Sequence, residues 1–463
     1  MTEQSINSMP SQFDKMNSFF LTHKTRPIAF RIQQLNTLEK LIKENTASIL
    51  EALYKDLHKP EAEALMSEIG IVLEEISFTK KELNSWMKPK SVSTPVNLWP
   101  AKSQIIYEPK GVVLIISPWN YPFQLAMSPL VGAIAAGNCS VIKPSEITAH
   151  TSKLIIELIA KYFDANYIAA VEGGIAETTA LLKLPWHHLF FTGSTPVGKI
   201  IMKAAAENLT PVTLELGGKS PAIVNDDADI AVTAKRLVWG KFYNAGQTCV
   251  APDYVYVHKS VRQRLVDQMK SEIKNQFGPD YQKSLNYGRI VNSKNLDRLK
   301  KLMSKDKIIY GGEIADADLF ISPTLAQVTD WSDALMQDEI FGPILPIMEF
   351  ESLDSIFSLI NQKQKPLAAY LFSDSEKIQN RFLDEVSFGG GCINDAVIHL
   401  GNPHLPFGGT HQSGHGSYHG HYSFLTFSHQ KSVLQKSVYL DLPIRYPPYT
   451  EKKLKMIRRF LGV

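Results

Sequence analysis

The chain has 463 residues, of which 44% are hydrophobic, 21% charged and 10% aromatic, the balance of a folded globular protein and not of a disordered one. Its length predicts two or three domains rather than one oversized core. The 49 Lys and Arg against 46 Asp and Glu leave a net charge of +3, too small to argue for a nucleic-acid partner.

Three cysteines at wide spacings, Cys139, Cys249 and Cys392, make neither a disulfide framework nor a paired metal-ligand set, and they predict a reducing, cytoplasmic setting. The polar N-terminus has no basic region followed by an apolar one, so no secretory signal is expected. Residues 26–85 read as helices, with Ile28, Ile32, Leu35 and Ile42 approximating one stripe. From Ser85 to Lys102 the composition turns to Trp, Pro, Ser and Lys, which predicts an extended excursion. No charge occurs between Gly111 and Ile142, yet Pro118, Pro122 and Pro129 break the stretch, so a buried strand–loop–helix is expected there and not a membrane span.

Strands at Val112–Ile116, Ser140–Ile142 and Leu189–Thr192 alternate with helices at Phe123–Ala136 and Thr151–Tyr162. That pattern predicts a parallel sheet covered on both faces, with a nucleotide bound beyond the carboxyl ends of its strands. A second alternating block begins near Gly217. It has strands at Ala222–Val224, Tyr254–His258, Ile308–Tyr310, Ile344–Phe350, Ala368–Phe372 and Cys392–Asn394, and helices at Asp229–Tyr243 and Val261–Ile273. From Gly401 the chain is rich in Gly, His and aromatics, and it ends in a basic helix whose bland reading is a solvated terminal element.

Several groups are equipped for chemistry. Cys249 stands among small, helix-breaking residues in Asn244-Ala-Gly-Gln-Thr-Cys-Val-Ala-Pro252, a turn whose free N–H groups favour a thiolate and any oxyanion it creates. Cys139 and Cys392 adjoin apolar strands and read as inert. Glu215, between two leucines and before Gly217-Gly218, is expected to have a raised pKa suited to a base, against the plain alternative of a carboxylate facing water. Gly193 and Gly198 flank a turn that opens a helix, where free N–H groups can meet a pyrophosphate. Lys143-Pro-Ser-Glu146 follows a strand and offers an ammonium and a carboxylate to a ribose. Seven of the 13 histidines lie between His399 and His429, but interleaved glycines argue against a helical metal face. A mobile loop at the active site or an interface is expected there, and no metal.

In order along the chain stand Pro118-Trp-Asn-Tyr-Pro122, Lys143-Pro-Ser-Glu146, Phe191-Thr-Gly-Ser194, Glu215-Leu-Gly-Gly-Lys-Ser-Pro221, Gly246-Gln-Thr-Cys249 and Glu339-Ile-Phe-Gly-Pro343. Together they resemble the aldehyde dehydrogenase superfamily over nearly the whole chain. Cys249-Val-Ala-Pro-Asp-Tyr254, Tyr418-His-Gly and Ser423-Phe-Leu-Thr-Phe-Ser-His429 look like its class 3 (fatty and aromatic aldehyde) branch. The resemblance implies an α/β fold: a Rossmann-like dinucleotide-binding domain (1–85 and 108–215), an α/β catalytic domain (216–400) and a small β oligomerisation element with a C-terminal tail (86–107 and 401–463). It implies Cys249 as nucleophile, Glu215 as general base and Asn120 as the side-chain donor to the oxyanion. It further implies NAD or NADP held by Trp119, Lys143, Glu146, Gly193, Ser194, Glu339 and Phe341. A small aldehyde as substrate, a homodimer, and neither a transmembrane segment nor a nucleic-acid partner complete the expectation. Thr410-His411-Gln412 departs from the small, Gly-containing segment usual in that branch, which bears on loop conformation and on substrate preference. Two rival readings remain open: a coenzyme-A-acylating relative, against which Glu215 argues, and a catalytically silent member of the fold.

Overall fold

The computed structural model describes residues 3–463 and, from Met9 onward, their side chains. It divides into two compact units, a larger one running to Trp86 and resuming over Pro109–Ser428, and a smaller one made of Met87–Glu108 and His429–Val463.

The larger unit holds two sheets. The first, in the order Gly414–His415, Val212–Glu215, His188–Thr192, Val112–Ile116, Cys139–Lys143, Ile168–Ala170, is parallel except at its first strand. Its three central strands are buried along their whole length, as both-face coverage demands. Val112–Ile116 leads into Cys139–Lys143 on one side, while His188–Thr192 pairs on the other. The strand order therefore reverses beside Ile116, and a crevice opens where Ser117–Phe123 and Gly193–Ser194 leave the sheet. Helix Gln124–Ala136 is buried on every face, which explains the uncharged stretch. Among the described residues no helix is long and apolar enough to cross a membrane.

The second sheet runs Ile308–Tyr310, Thr324–Gln327, Ile344–Phe350, Tyr254–His258, Pro221–Val224, Ala368–Phe372, Gly390–Ile393, with only the first pair antiparallel. Here the loops that matter enter the strands: Cys249 precedes Tyr254–His258, and Glu339 precedes Ile344–Phe350.

The smaller unit carries a three-stranded sheet of Lys90–Val92, Ala101–Pro109 and Ser428–Lys436, and helix Glu451–Leu461, none of whose residues is buried. Residues 401–428 fold into the larger unit because Gly414–His415 pairs with Val212–Glu215 and helix Gly420–Thr426 packs on Gln124–Ala136. A helix at Glu3–Leu21 was not expected from the polar N-terminal composition; it buries Phe13, Met16 and Phe20.

Candidate active site

Helix Ile230–Phe242 is capped by the Asp229 carboxylate, which accepts from the Val232 N–H at 3.0 Å, and it buries Ile230, Ala234, Val238 and Phe242. It ends in three consecutive left-handed residues, Asn244, Ala245 and Gly246. At Gly246 a Cβ would come 2.3 Å from the Gly342 carbonyl, so only glycine fits. The elbow is locked through Gln247, whose amide donates to the Arg289 carbonyl at 2.9 Å and accepts from the Val291 N–H at 3.0 Å. Cys249 follows, partly exposed, with its own N–H and that of Val250 directed at the sulfur.

Those N–H groups are the ones expected from the sequence, but they are outweighed. Burial, then the Glu339 carboxylate, then that of Glu215 push the Cys249 thiol up to about 12. Glu339 is itself pushed up to about 8 by burial and the Asp253 carboxylate. A charge test follows. In cofactor-free protein at about pH 9, above the Glu339 value, Glu339→Gln removes a negative charge facing the sulfur and speeds iodoacetamide alkylation of Cys249 by about three- to tenfold. At about pH 6, where Glu339 is protonated in any case, the gain shrinks towards nothing. An unchanged or slower rate at the higher pH would refute this electrostatic assignment.

Glu215 ends strand Val212–Glu215, its backbone paired with both Thr192 and Gly414. The residue is 1% exposed, neither carboxyl oxygen has a hydrogen-bond partner, and burial pushes its pKa well above the usual carboxylate range. Asn120, on the loop after Ile116, donates from its side-chain amide to the Gln247 carbonyl at 3.1 Å.

Two hollows meet at Cys249. On one side lies a cleft of about 1010 Å³ whose walls include Trp119, Asn120, Gly193, Ser194, Glu339 and Phe341. Helix Thr195–Ala206 points its N-terminus into this region, and Ser194 makes no side-chain cap, which leaves first-turn N–H groups for an anion. Phe341 is held at a φ of 49°, left-handed and rare for a bulky residue, and its ring stands 5.2 Å from that of Trp119, edge to face. The loop is clamped by Asp253, which accepts from the Ile340 N–H at 3.0 Å, and by Arg298, which donates to the Ile340 carbonyl at 2.7 Å. Polar walls, an aromatic pair and an uncapped helix end fit a dinucleotide. Lys143 and Glu146 stand outside this lining, at the end of strand Cys139–Lys143, where they pair at 2.7 Å.

On the other side is an apolar cavity of about 310 Å³, walled by Met66, Tyr121, Leu125, Trp239, Ile398 and Tyr418 among others, with Glu215 and Cys249 on its surface. Of these wall residues only Tyr121 and Tyr418 stand in motifs quoted from the sequence, and neither was given a place against the substrate; the others come from distant segments, and each alone reads as core. Of the histidine-rich stretch, His419 joins this wall and also contacts the Leu400 carbonyl through Nδ1 at 3.0 Å. Among the described residues no three His, Cys, Asp or Glu side chains converge as metal ligands. The unusual Thr410-His411-Gln412 lies elsewhere: the Gln412 carbonyl accepts from the Thr195 hydroxyl at 3.1 Å, beside the cleft, and none of the three lines the apolar cavity.

Comparison with known proteins gives a consistent result. The aldehyde dehydrogenase family model matches residues 7–433. The 4,4'-diaponeurosporen-aldehyde dehydrogenase of Staphylococcus aureus is 50% identical over 98% of this chain and 99% of its own. The dimeric NADP-preferring aldehyde dehydrogenase of Rattus norvegicus is 44% identical over 96% and 99%. Among solved structures, the substrate-bound state of Staphylococcus aureus AldH superposes with a TM-score of 0.95 over 98% of this chain and 99% of that one, at 50% identity.

Proposed function

This chain belongs to the aldehyde dehydrogenase family, and from that premise we propose that Cys249, Glu215 and Asn120 carry its reaction on apolar aldehydes. The enzyme oxidises aldehydes with NAD or NADP. One observation carries the assignment of residues: Glu215, its two oxygens unpartnered, and Cys249 share the wall of the apolar cavity, while Cys249 also faces the polar cleft.

The Cys249 thiol gives its proton to solvent and the resulting thiolate attacks the aldehyde carbon, whose oxygen becomes an alkoxide received by the Asn120 amide and the Cys249 N–H. Each such donor is worth about 3–4 kcal/mol. An Asn amide carries two hydrogens, so the bond to the Gln247 carbonyl leaves one for the oxyanion. A dinucleotide held in the cleft would supply the hydride acceptor through which the adduct carbon is oxidised. Cys249 is then left as a thioester, and Glu215 takes a proton from water, whose oxygen displaces the sulfur and releases the carboxylic acid. Trp119, Gly193, Ser194, Glu339 and Phe341 would hold the dinucleotide within the cleft, with Lys143 and Glu146 reaching its adenosine ribose.

The aldehyde is medium- or long-chain aliphatic or aromatic. The cavity shares Met66, Trp239, Tyr243 and Ile398 with an outer groove of about 740 Å³, which gives a longer chain somewhere to continue. For saturated aldehydes kcat/KM is expected to rise about fourfold per added methylene until the cavity is filled, from about 0.8 kcal/mol per buried CH₂. A panel of aliphatic, aromatic and semialdehyde substrates, run with each cofactor, tests this; a preference for charged semialdehydes, or no dependence on length, would overturn the substrate class. The smaller unit serves as the oligomerisation element of a homodimer, in keeping with the dimeric rat relative. A nucleophile that must stay a free thiol suits a cytoplasmic setting.

A further inference from the structure

Beneath the Asn120 loop lies an ion pair that none of the proposed chemistry uses. Lys59 follows the left-handed His58 at the end of helix Thr46–Leu57, and its side chain is wholly buried. Its Nζ makes three contacts: an ion pair with Glu68 Oε1, a hydrogen bond to the Asn120 carbonyl at 3.0 Å, and a position 4.0 Å over the Tyr121 ring. Glu68, equally buried, turns its other oxygen to the N–H groups of Phe123 and Gln124, at 3.1 and 2.8 Å, where helix Gln124–Ala136 begins. One pair of charges thus grips the loop at its middle and at its C-terminal end. Glu68 sits on a single π-helical turn, Leu65–Gly70, a form that concentrates at functional sites.

The loop held in this way is stitched to the nucleophile's elbow. The Asn120 side chain donates to the Gln247 carbonyl, and the Tyr121 hydroxyl meets that of Thr248 at 2.6 Å. Asn244 donates to both the Asn120 and Gln247 carbonyls, at 2.9 and 3.1 Å. The Asn120 carbonyl therefore has two donors, an ammonium and an amide, which fix the plane of its peptide and with it the direction of the side chain. Stability alone is a poor account of Lys59 and Glu68, because well-packed apolar residues of similar volume stabilise at least as well as a desolvated ion pair. What apolar residues cannot do is orient a carbonyl.

We propose that Lys59 and Glu68 are positioning residues, which hold the Asn120 peptide so that its side-chain amide meets the developing oxyanion at Cys249. The proposal rests on the role given to Asn120 above. Its test is a double-mutant cycle on the full chain, with Lys59→Met and Glu68→Gln made singly and in an Asn120→Ala background. Each single substitution is expected to lower kcat by about 10- to 100-fold, the scale of a small misplacement of a catalytic group, with KM changed by less than about threefold. In the Asn120→Ala background the same substitutions are expected to lower kcat by no more than about threefold, since the group they aim is gone. Glu68→Gln keeps an acceptor for Phe123 and Gln124, so it carries the cycle if Lys59→Met fails to fold. Losses that multiply fully in the Asn120→Ala background would overturn the positioning role and leave the role of Asn120 intact. An Asn120→Ala enzyme with wild-type kcat would overturn both.

Discussion

Cys249→Ala is expected to abolish aldehyde oxidation, with turnover lower by about 10⁵- to 10⁶-fold, the scale on which loss of a nucleophile is felt in covalent catalysis. Dinucleotide binding is expected to stay near wild type, because Cys249 contributes only one small wall of a cleft of about 1010 Å³. Cys249→Ser is expected to be nearly as inactive. The thiol is already pushed up to about 12 by burial and by the carboxylates of Glu339 and Glu215, and a hydroxyl starts from a far higher value, so the same surroundings leave it no accessible anion. The other two cysteines provide the contrast. Cys139 is wholly buried on a central strand, and Cys392 lies 3.6 Å from His399 Nδ1 in the second sheet. Cys139→Ala and Cys392→Ala are expected to keep kcat within about threefold of wild type, with any loss in stability rather than chemistry. NAD(P)H formation, cofactor titration and thermal unfolding on the four variants separate these effects. Residual wild-type turnover in Cys249→Ala would remove the nucleophile from the reading altogether.

Physical reasons separate what could be read from sequence and what could not. Strands Val112–Ile116 and Tyr254–His258 agree residue for residue, because a parallel strand covered on both faces must be a short unbroken apolar run and little else in a chain looks like that. Helix Glu3–Leu21 was missed although Phe13, Met16 and Phe20 carry helical spacing; Pro10 and the polar start masked a signal that was there. The stretch after Gly401 is hard to read for a different reason. Glycine-rich composition reads as loop, and only the long-range pairing of Gly414 with Glu215 turns it into a strand of the first sheet. The same division runs through the site. The surroundings of Cys249 and Glu215 are written in their own neighbours, so a turn and a raised carboxyl pKa could be expected locally. Lys59 has no such trace. In sequence it is a lysine before a proline and reads as solvated, and its burial depends on Glu68 and on an Asn120 carbonyl 61 residues away. The cavity walls are equally silent, being assembled from single apolar residues on loops and helices that touch only in the folded chain.

Glu215→Gln divides the reaction into halves. The first turnover is expected to survive as a burst of NAD(P)H approaching one equivalent per site, after which steady-state turnover falls by about 10²- to 10⁴-fold, the usual contribution of a general base. Glutamine keeps the shape of the side chain, so the apolar cavity is undisturbed and only the capacity to take a proton is lost. The electrostatics favour the burst. Glu215 is one of the two carboxylates that push the Cys249 thiol up, so neutralising it leaves acylation no slower and, above the pKa of Glu215, somewhat faster. The pH dependence has a definite sign. Burial raises the Glu215 pKa well above the usual carboxylate range, and only the ionised form accepts a proton from water. Where deacylation limits turnover, wild-type kcat therefore rises with pH as Glu215 ionises, and this limb disappears in Glu215→Gln. Stopped-flow recording of the nicotinamide absorbance across pH distinguishes the outcomes. Linear progress at the wild-type rate would show that water is activated by another group. Loss of the burst together with turnover would move Glu215 into the first half, as the group that must take the proton from so weakly acidic a thiol before it can attack.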